Sequence, residues 1–340
     1  MKKAVLYVAL VLMLIVGSPG EAETLDLLCF NVWSGLGSGG FITVPSLEEP
    51  GNREFRRELL ERGIEALEPD IIGLLELNPL PAAVRELEER FDLSGVWQID
   101  RGGVRVGPVG LPLNRRQGAA LLVREELELS ESGVRKLSGG ALGGWYQIGD
   151  AGIVLSAVVK VGATRLHLFI THWEETLWDD EEALNALVAE YARGERDAKE
   201  LLKQVGRAAE GGELRRQQAA AALDYINQKA GREPAILMGT LAAAPDSEVL
   251  NLIKQAGFRD SWTLRGGATW DEANNPNTRL SGGGDLFSAG ENGDRVDYVL
   301  VRGDGIRSLG SRIVFNEPTY GTWPSDHYGL LVRLEVDEGK

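Results

Sequence analysis

Short runs of consecutive apolar residues alternate along the chain with stretches whose apolar positions recur every three or four residues. Residues 25–31 (Leu-Asp-Leu-Leu-Cys-Phe-Asn) read as a buried strand that ends in a polar residue, and residues 71–76 (Ile-Ile-Gly-Leu-Leu-Glu) as another with an acidic tip. Between them Phe55, Leu59, Leu60, Ile64 and Leu67 fall at helical spacing, which predicts a helix over 53–68 that Pro69-Asp70 brings to an end. The same reading places further strands at 118–123, 153–160, 165–171, 235–239, 295–301 and 328–335. Strands interleaved with helices, with no repeat and no Pro/Ser linker, predict an α/β class and a single domain.

Two regions stand apart from this alternation. The stretch 35–51 is rich in Gly and Pro and predicts a loop beside the end of the first strand. Residues 174–212 are highly charged and carry a helical pattern (Leu184, Leu187, Val188, Tyr191) that closes at Gly211-Gly212. This predicts a charged helical insertion, either a solvated surface element or a lid. A second helix follows it, with Ala219, Ala222, Leu223 and Ile226 on one face.

The first 22 residues belong to neither pattern. Lys2-Lys3, an apolar run over 4–16 and the small residues Gly20 and Ala22 have the layout of a secretory signal peptide cut after Ala22. The run falls short of the roughly 20 residues that span a bilayer, so the expectation is an exported protein, periplasmic or extracellular, with domain limits 23–340. Cleavage moves the formal net charge from −15 to −16. A general polyanion binder shows an excess of Lys and Arg, which this chain lacks. The single cysteine, Cys29, leaves no partner for an internal disulfide. A hydrophobic fraction of 43% with 26% charged residues excludes disordered, fibrous and integral membrane classes.

Polar residues stand where the apolar strands end. Asn31 and Glu76 end the first two, His172 follows 166–171, Asp297 lies within Arg-Val-Asp-Tyr-Val (295–299), and Ser325-Asp326-His327 precedes the last strand. In α/β proteins strand ends gather into one cleft. Each residue alone has a plainer reading as a turn cap, a paired buried acid or a structural histidine. Together, their Asn, Glu and Asp oxygens suit Mg²⁺ or Mn²⁺, while two histidines can hold or protonate phosphate oxygens. His167 has the opposite strand parity to His172 and reads as structural. Arg101, Arg105, Arg115 and Arg116 form a basic cluster near a Gly-rich stretch, either a phosphate patch or a solvated loop.

These segments, in this order and spacing from about residue 25 to residue 335, resemble the endonuclease/exonuclease/phosphatase superfamily with its DNase-I-like fold. The resemblance implies a four-layer α/β sandwich, two packed β-sheets flanked by helices, with the cleft at one edge. It implies divalent-metal-dependent hydrolysis of a phosphoester by in-line water attack. Residue by residue, it puts Glu76 on the metal with Asn31 beside it, and His172 on the phosphoryl oxygens. Asp297 supports the metal or the histidine network, Asp326 orients His327, and His327 contacts phosphate or moves a proton. The segment 118–124 resembles the family's central strand. Thr269-Trp270 with Asn275-Pro276 resembles a loop of its secreted bacterial members, structural or substrate-facing.

One segment departs from the pattern. Where the family carries Gly-Asp-x-Asn, residues 239–242 read Gly-Thr-Leu-Ala, followed by the usual Pro-Asp-Ser turn. Thr240 has no charge with which to orient or deprotonate water, and Ala242 has no donor for the developing negative charge. Loss of one preorganised group costs on the order of 10²–10³ in rate, and losses within one constellation do not multiply. Three readings stay open: an active phosphodiesterase or phosphatase with a rearranged water-activating group; a weak or inactive relative that binds a metal or phospho-ligand; and an altered copy of an active parent. Retention of the other polar groups favours a remaining ligand or metal function. With so acidic a chain the expected partner is a phosphorylated small molecule, a nucleotide or a phospholipid headgroup rather than a long nucleic acid.

Overall fold

The computed structural model describes residues 22–37, 43–102, 105–106, 109–110, 115–142, 146–173, 181–281 and 293–339. The predicted leader, but for Ala22, and the start of the charged insertion lie outside them. In chain order the elements are β1 (Ala22–Asn31), α1 (Pro50–Leu67), β2 (Ile71–Leu77), α2 (Leu80–Phe91), β3 (Leu93–Gly102), β4 (Arg105–Val106), β5 (Val109–Gly110), β6 (Arg116–Arg124), β7 (Ser130–Leu142), β8 (Tyr146–Val161) and β9 (Thr164–His172). They continue with α3 (Glu181–Ala192), α4 (Ala198–Ala230), β10 (Ala235–Thr240), α5 (Glu248–Gln255), β11 (Arg259–Asp260), α6 (Asn277–Leu280), β12 (Asp297–Arg302), β13 (Ile306–Val314) and β14 (Gly329–Asp337).

Two mixed sheets result, ordered β13-β14-β1-β2-β6-β3 and β11-β12-β10-β9-β8-β4-β5, with β7 on β8. Their inner faces pack on each other through alternate residues. Leu25, Leu27 and Cys29 of β1 and Leu121 and Val123 of β6 meet Leu166, Leu168 and Ile170 of β9 and Ile236 and Met238 of β10. The intervening residues face helices. Leu28, Phe30, Ile72 and Leu74 pack with Leu60 and Ile64 of α1 and Val84 of α2. Phe169, Leu237 and Leu300 pack with Ala222 and Ile226 of α4 and Ile253 of α5. Helix, sheet, sheet, helix is the expected four-layer α/β sandwich. Both faces of the central strands are buried, so they read as unbroken apolar runs.

The glycine pair does not end a helix as its sequence suggests. Helix α4 runs through Gly211-Gly212 to Ala230, and both glycines lie on its buried face with Ala208, Arg215 and Ala219. Packing of that face overrides the cost of about 1 kcal/mol per interior glycine. The charged insertion is therefore continuous with the helix that packs on the second sheet. Among the described residues no helix is long and apolar enough to cross a membrane.

Candidate active site

The same alternation that buries the inner faces carries polar residues to one end of the sandwich. Asn31 continues the series Leu25, Leu27, Cys29; His172 continues Leu166, Leu168, Ile170; Thr240 continues Ile236, Met238; Asp297 precedes Val299 and Val301. Each is the inner-face residue at the same end of the sandwich, and each is almost fully buried. His167, of opposite parity, is held at the other end of β9 by Glu233, 2.5 Å from its Nε2.

Two acids reach this mouth by breaking the alternation. The pairing of β2 with β6 slips between Leu74 and Leu77. Leu75 faces the inner core while Leu74 and Leu77 both face the helices, so Glu76 is the extra residue, with φ of 57°. The pairing of β3 with β6 slips likewise between Ile99 and Arg101, which makes Asp100 the extra residue there. Bulges of this kind re-aim side chains. The φ of Glu76 is costly for a non-glycine residue and is held by its surroundings: Ser34 N donates to Oε2 at 3.4 Å and Asn31 Nδ2 to Oε1 at 3.5 Å.

Asn31 is the hub. Its Oδ1 accepts from Trp33 N at 3.1 Å, and its Nδ2 also faces Thr240 Oγ1 and His327 Nε2, both at 3.4 Å. His327 Nδ1 lies 2.8 Å from Asp297 Oδ2, and Asp297 Oδ1 accepts from Thr240 Oγ1 at 2.6 Å. A carboxylate only accepts, so Nδ1 carries a proton in this contact, and Nε2 faces the amide nitrogen of Asn31. His172 Nε2 stands 3.8 Å from Glu76 Oε1.

The carboxylate on His327 Nδ1 is that of Asp297, while Asp326 meets Ser325 beside it. Asp326 Oδ1 lies 3.1 Å from Ser325 Oγ, which also donates to Asn31 O at 2.7 Å and accepts from His327 N at 3.2 Å. Thr240 and Ala242 are both buried, and Ala242 holds φ of 47°. That is a left-handed conformation which Asn adopts far more readily than Ala.

Asp100 and Gln117 join the site without a signal in the sequence, since 93–102 shows no clean alternation. Both are buried, and among the described residues Asp100 Oδ1 and Gln117 Nε2 have no hydrogen-bond partner. Burial pushes the Asp100 carboxyl up to about 6; His172 and Arg101 pull it down and the charge of Glu76 raises it further. Of the basic cluster, Arg101 pairs opposite Gln117 and Arg116 opposite Gly102 at the same end of the sheet, and Arg115 Nε donates to Gln117 Oε1 at 3.3 Å. Arg105 lies in β4 on the other sheet.

The donor set suits a hard cation. The Glu76 carboxylate, the Asn31 carboxamide oxygen and the unpartnered Asp100 oxygen are all of the type that Mg²⁺ or Mn²⁺ prefers. Among the described residues no three or more His, Cys, Asp or Glu are grouped to hold a metal. The fit is to the sparse Mg²⁺ mode, one or two carboxylates with the remaining positions left to water and substrate phosphate.

Comparison with curated proteins finds none similar in sequence. Among solved structures, an endonuclease/exonuclease/phosphatase from Bacteroides vulgatus superposes with a TM-score of 0.61 at 16% identity, covering 92% of this chain and 99% of that one. D. rerio TDP2 complexed with a single-strand DNA product gives 0.59 at 17% identity, with 92% and 99% covered. The human Nocturnin catalytic domain with a bound sulfate anion gives 0.56 at 14% identity, with 93% and 97% covered. At these identities the likeness is one of fold. The sequence pattern of the Endonuclease/Exonuclease/phosphatase family, by contrast, matches residues 28–327, a span that runs from β1 to His327 and takes in every polar group of the mouth. The chain belongs to that family.

Proposed function

We propose that the protein is a hydrolase of small phosphoesters, assisted by Mg²⁺ or Mn²⁺, in which proton handling rests on His327 and Asp297. The observation that carries this reading is the buried chain from Asp297 through His327 to Asn31, with contacts of 2.8 and 3.4 Å, ending beside the Glu76 carboxylate. His172 binds phosphoryl oxygens beside Glu76. Asp297 holds the imidazole tautomer, so Nε2 is the atom that takes or returns a proton. Glu76, with Asn31 beside it, would hold the cation, which would neutralise the phosphoryl charge. The charge of −15 favours a nucleotide, sugar phosphate or phospholipid headgroup over long nucleic acid, and the leader-like residues 1–22 support export.

Thr240 favours a second reading, a phospho-ligand binder. Its hydroxyl proton is committed to Asp297, and the residue carries no base. The two readings separate when mature protein and a Thr240→Asp/Ala242→Asn variant are assayed on a bis-aryl phosphodiester and an aryl phosphomonoester, with Mg²⁺, Mn²⁺ or EDTA. Metal-dependent turnover by the unaltered protein, abolished by His327→Ala, supports the enzyme. Turnover by the restored variant alone makes the natural chain a binder. Absence of turnover in both, with no thermal stabilisation by Mn²⁺ and phosphate, sinks both readings.

A further inference from the structure

The Thr-Trp…Asn-Pro segment, which the reaction as derived leaves idle, touches both members of the His327–Asp297 pair. Thr269 is fully buried, and its Oγ1 accepts from the backbone N–H of Val296 and of Asp297, each at 3.0 Å. Its carbonyl accepts from Tyr328 N at 2.7 Å, directly after His327. The Trp270 ring meets the His327 imidazole at 4.8 Å between centroids and 72°, an edge contact that fixes the plane of the ring. Asn275, also fully buried, donates from Nδ2 to the carbonyls of Ser325 at 2.9 Å and Asp326 at 3.2 Å.

Asn275 is in turn held by its own loop. Its Oδ1 accepts from Asn277 N at 3.1 Å, its N–H donates to Asp271 O at 2.8 Å, and its carbonyl accepts from Thr278 Oγ1 at 2.6 Å. The two partners of the His327–Asp297 bond come from chain segments thirty residues apart. One loop grips the backbone of each. Without it, the carbonyls of Ser325 and Asp326 would need other donors, and buried carbonyls rarely go unpaired.

We infer that the loop 269–278 is the positioning element of this site, with Thr269 setting Asp297 and Asn275 setting His327. These are positioning residues: neither touches the mouth in which substrate would sit. The inference rests on the proposed hydrolysis only for its consequence in rate. The hydrogen bond itself is open to measurement without substrate or metal.

The chain has three histidines, so the downfield proton of His327 Nδ1 is assigned by its loss in His327→Gln. The test compares Asn275→Ala, the isosteric Thr269→Val and the conservative Thr269→Ser by ¹H–¹⁵N spectra of the imidazoles and by melting temperature. Expected is loss or displacement of the His327 signal in Asn275→Ala and Thr269→Val, its retention in Thr269→Ser, and unmoved His167 signals throughout. In an active protein the same two variants lose at least tenfold in kcat with KM within threefold, and Thr269→Ser keeps the kcat of the unaltered protein. An unchanged His327 signal in folded Thr269→Val and Asn275→Ala overturns the inference, whatever their stability. Should Asn275→Ala fail to fold, the Thr269 pair decides alone. A changed signal in a protein without turnover keeps the inference and removes the hydrolase reading.

Discussion

Replacing Asp100 by Asn removes a buried carboxylate and leaves its shape. In the folded chain this group ionises at about 6 rather than at its ordinary 3.8, chiefly because burial disfavours the charge and secondarily because Glu76 is near. The folded state therefore holds the proton more tightly than the unfolded state. As pH rises from about 4 to about 6 the unfolded chain ionises first, so stability is lost across that window and the loss is constant above it. At about 1.4 kcal/mol per pH unit, the displacement amounts to roughly 3 kcal/mol. A kcal/mol moves the melting point of a domain of this size by about 2 °C, so Asp100→Asn should melt roughly 6 °C higher at pH 8 and no higher at pH 4. Calorimetry in EDTA at both pH values, with reversibility checked, measures this directly. An equal gain at both pH values, or none at pH 8, would refute the account of Asp100 as a carboxylate kept in the site at the expense of stability.

Three further outcomes test separate parts of the structure. Glu76→Gln should keep the fold, because the neutral amide still fills the bulge, yet lose at least tenfold in Mn²⁺ affinity by calorimetric titration; undiminished affinity places the cation elsewhere. Gly239→Ala should yield little folded protein, since φ is 133° and a Cβ would lie 1.9 Å from the carbonyl oxygen of Thr171; a normal melt would show that β9 and β10 are not held so closely. Thr240→Asp in EDTA should melt lower at pH 8 than the unaltered protein. It exchanges a hydrogen bond to a charged acceptor, worth about 1.5–3 kcal/mol, for a second carboxylate beside Asp297, and unchanged stability would mean that the 2.6 Å contact contributes nothing.

The polar groups legible in the sequence are those that ride on regular alternation. Asn31, His172 and Asp297 each follow or precede an unbroken inner-face series, so strand period alone carries them to the mouth. Glu76 was legible only as the tip of an apolar run; that it faces the mouth depends on a bulge, and nothing in Leu74-Leu-Glu-Leu77 marks an extra residue. Asp100 escaped notice for the same reason, on a strand whose exposed outer positions blur the pattern. That Asp297, thirty residues before His327, is the acid on its Nδ1 is a matter of tertiary packing, which adjacency in sequence does not reveal. Helix α4 misled in the opposite sense: Gly211-Gly212 is a local stop signal, overridden because both glycines sit on a face that packs.

In the segment 239–242 Thr240 acts as a donor to Asp297. An aspartate here would set two carboxylates against each other around a single imidazole, an arrangement that a cation or a shared proton must neutralise. Thr240 gives Asp297 a hydroxyl proton instead, and with His327 Nδ1 each oxygen of Asp297 has a donor at 2.6 or 2.8 Å. The pair is thus satisfied without help from outside the chain. Ala242 shows the complementary effect: its φ of 47° keeps a backbone shape that favours asparagine, while its methyl group packs with Ala244, Trp270 and Val296. The same Trp270 edge rests on His327. Thr240 and Trp270 thus hold the His327–Asp297 pair from two sides, through a contact of 2.6 Å on the carboxylate and a ring contact of 4.8 Å on the imidazole.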